Sequence, residues 1–94
     1  MSIITILRPD AEPEERDIGK LDPVKAASAI INDTMDFTRV KWKGKLRTMA
    51  VGDTCSIDGS AYNKLATEAY LANCYPGTVW QMGGVCVVFD KVLS

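Results

Sequence analysis

Phe37-Thr38-Arg39-Val40-Lys41-Trp42-Lys43-Gly44-Lys45-Leu46-Arg47-Thr48-Met49-Ala50-Val51 carries the clearest structural signal in the chain. Its even positions Val40, Trp42 and Leu46 are apolar. Its odd positions Arg39, Lys41, Lys43, Lys45 and Arg47 are all basic. A period of two is the mark of a strand with one face in the core and one in water, so the stretch reads as a two-faced strand or a hairpin. Lys43-Gly44 is its natural turn, because glycine accepts the positive φ that tight hairpin turns require. Gly52-Asp53 breaks the pattern.

On the N-terminal side, Ser2 to Leu7 is rich in β-branched residues and reads as a first strand. Arg8-Pro9-Asp10 ends it, since proline cannot continue a central ladder. Glu14 to Ile18 is expected to return beside it as a short second strand, closed by Gly19. Leu21-Asp22-Pro23 opens a helix: Asp22 caps free backbone N–H groups and Pro23 suits the first helical position. Val24, Ala27, Ile30 and Ile31 share one face of this helix at helical spacing, and Asn32-Asp33 reads as its end.

On the C-terminal side, Asp58 and Ser60 are N-cap candidates for a second helix from Ala61 to about Asn73, with Asn73 suited to its C-cap. Tyr62, Leu65, Ala66, Ala69 and Tyr70 form its expected buried face. Pro76-Gly77 is a tight turn. Thr78 to Met82 and Val85 to Phe89 read as two last strands separated by Gly83-Gly84. The expected fold is therefore α+β, a mainly antiparallel sheet with two helices in the order ββ-α-ββ-α-ββ, spanning residues 1–94 as one domain.

Composition sets the outer limits. A chain of 94 residues buries only about 60–65% of the surface it exposes when unfolded, so a thin core makes self-association a reasonable expectation. Three cysteines, Cys55, Cys74 and Cys86, stand far apart with no C-x-x-C pair, which fits free thiols in a reducing compartment. No apolar run approaches the roughly 20 residues needed to cross a bilayer, and the N-terminus lacks a basic lead-in. These features lead to the expectation of a cytoplasmic protein with no membrane partner. The net charge of −1 calls for neither nucleic acid nor an anionic membrane. It hides an asymmetry, however. Asp10, Glu12, Glu14, Glu15, Asp17 and Asp22 crowd one segment, and the basic run 39–47 another. The two segments are candidates for mutual attraction.

Catalytic chemistry has little to stand on. The chain has no histidine, which excludes Ser-His and Cys-His relays and imidazole metal ligands. It has neither G-x-x-x-x-G-K-[ST] nor G-x-G-x-x-G, and Gly83-Gly84 precedes a strand rather than a helix. The carboxylates crowd a proline-containing stretch that reads as a solvated loop. The expectation is a non-enzyme without metal or cofactor. The one distinctive feature is the basic run. Exposed charge is most often simply solvated. Its alternative is a binding surface made of Arg39, Lys41, Lys43, Lys45 and Arg47. Single-strand nucleic-acid binders combine such charges with aromatics on one face. Trp42, however, lies on the opposite parity from these residues and in a regular strand would face the core, so nucleic acid is not the favoured partner. Tyr62, Tyr70 and Tyr75 read first as core residues and second as pocket-mouth or interface residues.

From Thr48 onward the chain also resembles a known family. Met49-Ala50-Val51-Gly52-Asp53, Gly59, Tyr62-Asn63-Lys64-Leu65-Ala66-Thr67, Pro76-Gly77-Thr78 and Gly84-Val85-Cys86-Val87-Val88 are similar to the small phage and prophage proteins labelled domain of unknown function 3846. The resemblance implies no activity and no functional residues. It implies a phage context, in which small proteins without catalytic motifs act as accessory factors or inhibitors of host components, defence systems among them. The leading expectation is a phage-type binding protein acting stoichiometrically on a host component, with a host protein or a nucleotide ligand as partner. The alternatives are a nucleotide or single-stranded nucleic-acid binder using residues 39–47, and a structural homo-oligomer.

Overall fold

The computed structural model describes residues 3–9, 11–32, 34–52, 62–78 and 81–92. They form strands β1 (Ile3–Leu7) and β2 (Glu14–Asp17), helix α1 (Pro23–Ile31), strands β3 (Met35–Trp42) and β4 (Lys45–Gly52), helix α2 (Lys64–Leu71) and strand β5 (Cys86–Val88). The strands make one sheet in the order β2-β1-β5-β4-β3, every neighbouring pair antiparallel. The α+β architecture and the element order are those expected from the sequence. In the last expected strand pair, Val79 and Trp80 lie outside the described residues. The segment that follows contributes a single bridge, Gly83 to Tyr62, ahead of β5.

The helices cover opposite faces of the sheet. Ile4, Ile6, Ala50, Val87 and Phe89 point to one face and pack with Ala27 of α1. Leu7, Met49, Val51, Cys86 and Val88 point to the other and pack with Ala66 and Ala69 of α2. Adjacent residues of a strand project to opposite faces, so β1, β4 and β5 supply both cores at once. This is why Ile4 to Leu7 are buried without alternation.

Local signals explain both helices. Asp22 is the N-cap of α1, its side chain accepting from the Val24 N–H at 3.1 Å, and Pro23 occupies the first turn. Asn32 closes α1 in the left-handed conformation that asparagine tolerates. For α2 the expected caps are corrected. Asp58, Ser60 and Ala61 lie outside the described residues, and the N-cap is Asn63, whose Oδ1 accepts from Ala66 N–H at 3.1 Å. The C-cap is Ala72 rather than Asn73. Tyr62 therefore precedes the helix and is 52% exposed instead of buried. Neither Cys74 nor Cys86 is in a disulfide, Cys86 is buried in the core, and Cys55 lies outside the described residues.

Candidate functional site: the basic hairpin

The basic run forms the β3–β4 hairpin. Lys43 and Gly44 make its two-residue turn with φ of 52° and 78°, the pair of positive values that matches the twist of the flanking strands. Across the turn Trp42 faces Lys45, Lys41 faces Leu46, Val40 faces Arg47 and Arg39 faces Thr48. Opposed residues of an antiparallel pair project to the same face. A two-residue turn pairs residue i with residue i+3, so even positions of β3 share a face with odd positions of β4.

This corrects the single basic stripe. Arg39 and Lys41 lie on the α1 side of the sheet, together with Phe37 and Leu46. Lys45 and Arg47 lie on the α2 side, together with Val40 and Trp42. Lys43 is in the turn. The α2 side is the packed one. Val40 is fully buried, Trp42 rests against the core beneath α2, and Arg47 is half-buried. The Trp42 Nε1 and Arg47 Nε donors are shielded there without hydrogen-bond partners. The α1 side of the hairpin is open. Arg39 and Lys41 are exposed, Phe37 is 48% exposed and Leu46 43%. The Phe37 ring is braced on buried Phe89, with centroids 6.3 Å apart and planes 30° apart.

β3 is also an outer edge of the sheet. The loop after α2 runs beside it, Asn73 Nδ2 donating to the Arg39 carbonyl oxygen at 3.4 Å. Between them lies a shallow cavity of about 420 Å³ lined by Lys41, Ala72, Asn73, Cys74, Tyr75 and Pro76. Among the described residues that line it none is acidic, and Tyr75 stands 89% exposed at its rim. Tyr70, by contrast, packs on the core, and burial together with the neighbouring Cys74 raises its hydroxyl above the ordinary tyrosine value.

The acidic segment does little to neutralise this surface. Lys43 Nζ approaches Glu15 Oε2 only to 4.0 Å, with both side chains largely exposed. An exposed pair of that kind contributes little. Glu14 is occupied locally. Arg8 donates to it at 2.7 Å and Arg16 at 2.6 Å, and these bonds hold its carboxyl below the usual glutamate value. None of Arg39, Lys41, Lys45 and Arg47 forms an ion pair with a described residue.

A second concavity, about 440 Å³, is lined by Arg8, Glu12, Tyr62, Asn63, Lys64 and their neighbours. Charges of both signs meet in it. Among the described residues no group of three or more His, Cys, Asp or Glu side chains could hold a metal ion. No described helix is long and apolar enough to cross a membrane.

Phe37 was not singled out in the sequence, and Tyr75, expected first in the core and second at a pocket mouth or interface, is exposed at the pocket rim. Phe37 has the same parity as Arg39 and Lys41, a signal present in the sequence but overshadowed by Trp42. Tyr75 reaches the hairpin only through the tertiary path of the loop after α2. Comparison with protein-family models, curated proteins and solved structures returns no match.

Proposed function

We propose that this chain is a small non-catalytic binding protein that acts stoichiometrically through its β3–β4 hairpin. In this reading it is a phage-type accessory factor or inhibitor, working in the cytoplasm of the host cell on a host component. The observation that carries the reading is the open face of the hairpin. There Arg39 and Lys41 stand exposed, unpaired by any described acid, beside the exposed apolar side chains Phe37 and Leu46. Single exposed apolar residues are ordinary, but exposed apolar groups interleaved with unneutralised cations on one sheet face are a contact surface for an anionic partner. The phage context rests on the family resemblance of the residues from Met49 to Val88.

The test is a comparison of the chain with its Arg39→Glu/Lys41→Glu variant, both immobilised and exposed to extract of the expressing cells. Both residues are exposed, so the variant is expected to keep its fold and its melting temperature within a few degrees. The expected result is a component, protein or nucleic acid, retained by the wild type and lost by the variant. Identical retention by both would remove the hairpin from the function.

A further inference from the structure

We infer that the open face of the hairpin, together with the adjoining outer edge of β3, binds single-stranded nucleic acid, with its phosphates on Arg39 and Lys41 and its bases on Phe37 and, at the edge, on Tyr75. The inference rests on the hairpin being the contact surface and names the class of partner it takes. Phosphate binding alone would not distinguish nucleic acid from an acidic protein. The aromatic rings do. Bases in a duplex are stacked within the helix, whereas bases of a single strand are free to lie on an aromatic face. The α1 side of the hairpin offers such a face at Phe37, whose ring is half exposed and braced from behind by Phe89. A ring already held in place loses little freedom on binding. Tyr75 offers a second ring beside Lys41, where the described lining residues include no carboxylate to repel a phosphate.

Spacing agrees with this. Phe37, Arg39 and Lys41 are alternate residues of one strand, so they recur about every 6.6 Å along it. Bases laid on protein rings are no longer stacked on one another, so the backbone between them is drawn out along the strand, where the two cations stand ready for its phosphates. The parity objection that Trp42 raises does not apply to Phe37, which shares the face of the two cations.

The experiment is fluorescence anisotropy with two probes of equal length, a fluorescein-labelled oligo(dT) and a fluorescein-labelled oligo-glutamate peptide, over a range of salt. The expected result is oligo(dT) binding that weakens with salt. Lys41→Gln is expected to reduce the magnitude of the log–log salt slope by about 0.7, one phosphate contact on a single strand. Tyr75→Ala and Phe37→Leu are expected to weaken binding about five-fold or more each while leaving the slope in place. Tyr75 is almost wholly exposed and leucine preserves bulk beside Phe89, so neither change is expected to unfold the chain.

Three results would overturn the inference. If oligo-glutamate binds, oligo(dT) does not, and Arg39→Glu/Lys41→Glu abolishes the peptide's binding, the partner is an acidic protein and the hairpin reading survives. If oligo(dT) binds but Phe37→Leu and Tyr75→Ala change nothing, the surface attracts polyanions without reading bases. If neither probe binds, or the double variant binds both as well as wild type, the hairpin reading fails with it.

Discussion

Asn63 is 1% exposed and ties together three segments far apart in sequence. Its Nδ2 donates to the carbonyl of Leu7 at 2.9 Å and of Gly84 at 2.8 Å, while its Oδ1 caps α2. Its own backbone carbonyl accepts from the Thr67 hydroxyl at 2.8 Å, and that hydroxyl accepts from the Met82 N–H at 2.9 Å. A buried amide that satisfies two carbonyls and a helix terminus cannot be replaced by an apolar side chain without leaving those groups bare. Asn63→Ala is expected to lower the unfolding free energy by about 2–4 kcal/mol, from the unsatisfied acceptors and the lost cap together. Urea denaturation measures it. A loss below about 0.5 kcal/mol, less than a single net hydrogen bond, would show that the network is dispensable. The sequence contains Asn63 but cannot display its role. Two of its partners, Leu7 and Gly84, are distant along the chain and meet it only after the sheet has formed.

At the scale of the element, the hairpin turn decides which cation faces where. Lys43 at φ 52° sits in a conformation that a lysine occupies at a cost, and asparagine more readily. Lys43→Asn is therefore expected to stabilise the protein, by about 0.5 kcal/mol. Gly44→Ala is expected to destabilise it by about 1 kcal/mol. Nothing lies within 4 Å of the position a Gly44 Cβ would take, so the cost is conformational and not steric. Thermal melts of the two variants check the pair, and shifts of the same sign would contradict the turn assignment. The two-residue turn was legible in Lys43-Gly44, and so were its consequences. A loop of two residues reverses parity between the strands, which separates Arg39 and Lys41 from Lys45 and Arg47. The α2 boundaries were less legible. Asp58, Ser60 and Asn63 are all competent caps by residue type, and propensity does not rank them.

For the molecule as a whole, the order β2-β1-β5-β4-β3 places the last strand in the middle. β5 is buried throughout, whereas β2 is a short outer strand of charged residues. Short charged edge strands resist pairing with other chains, and β2 has this form. Local opening follows the same map, because elements with few buried contacts open at lower free energy. Amide hydrogen exchange is expected to be slowest in β5 and the adjoining parts of β1 and β4, and fastest in β2. Protection in β2 equal to that in β5 would contradict the observed strand order.

The sequence by itself determined what depends on neighbours along the chain. Alternation made strands of β3 and β4, Asp22-Pro23 started α1, Asn32 ended it, and the absence of histidine removed a whole range of chemistry. These follow from side-chain periodicity, backbone preferences and residue chemistry, all of which act over a few bonds. The tertiary structure alone decided which face of the hairpin stays open. Val40, Trp42 and Arg47 are covered because α2 packs on their side, and Phe37, Arg39 and Lys41 are open because α1 lies against β4 and β5 and leaves this end of β3 uncovered. Burial of a strand face depends on what packs against it, and here that is a helix that begins only at Lys64, well beyond the hairpin in the chain.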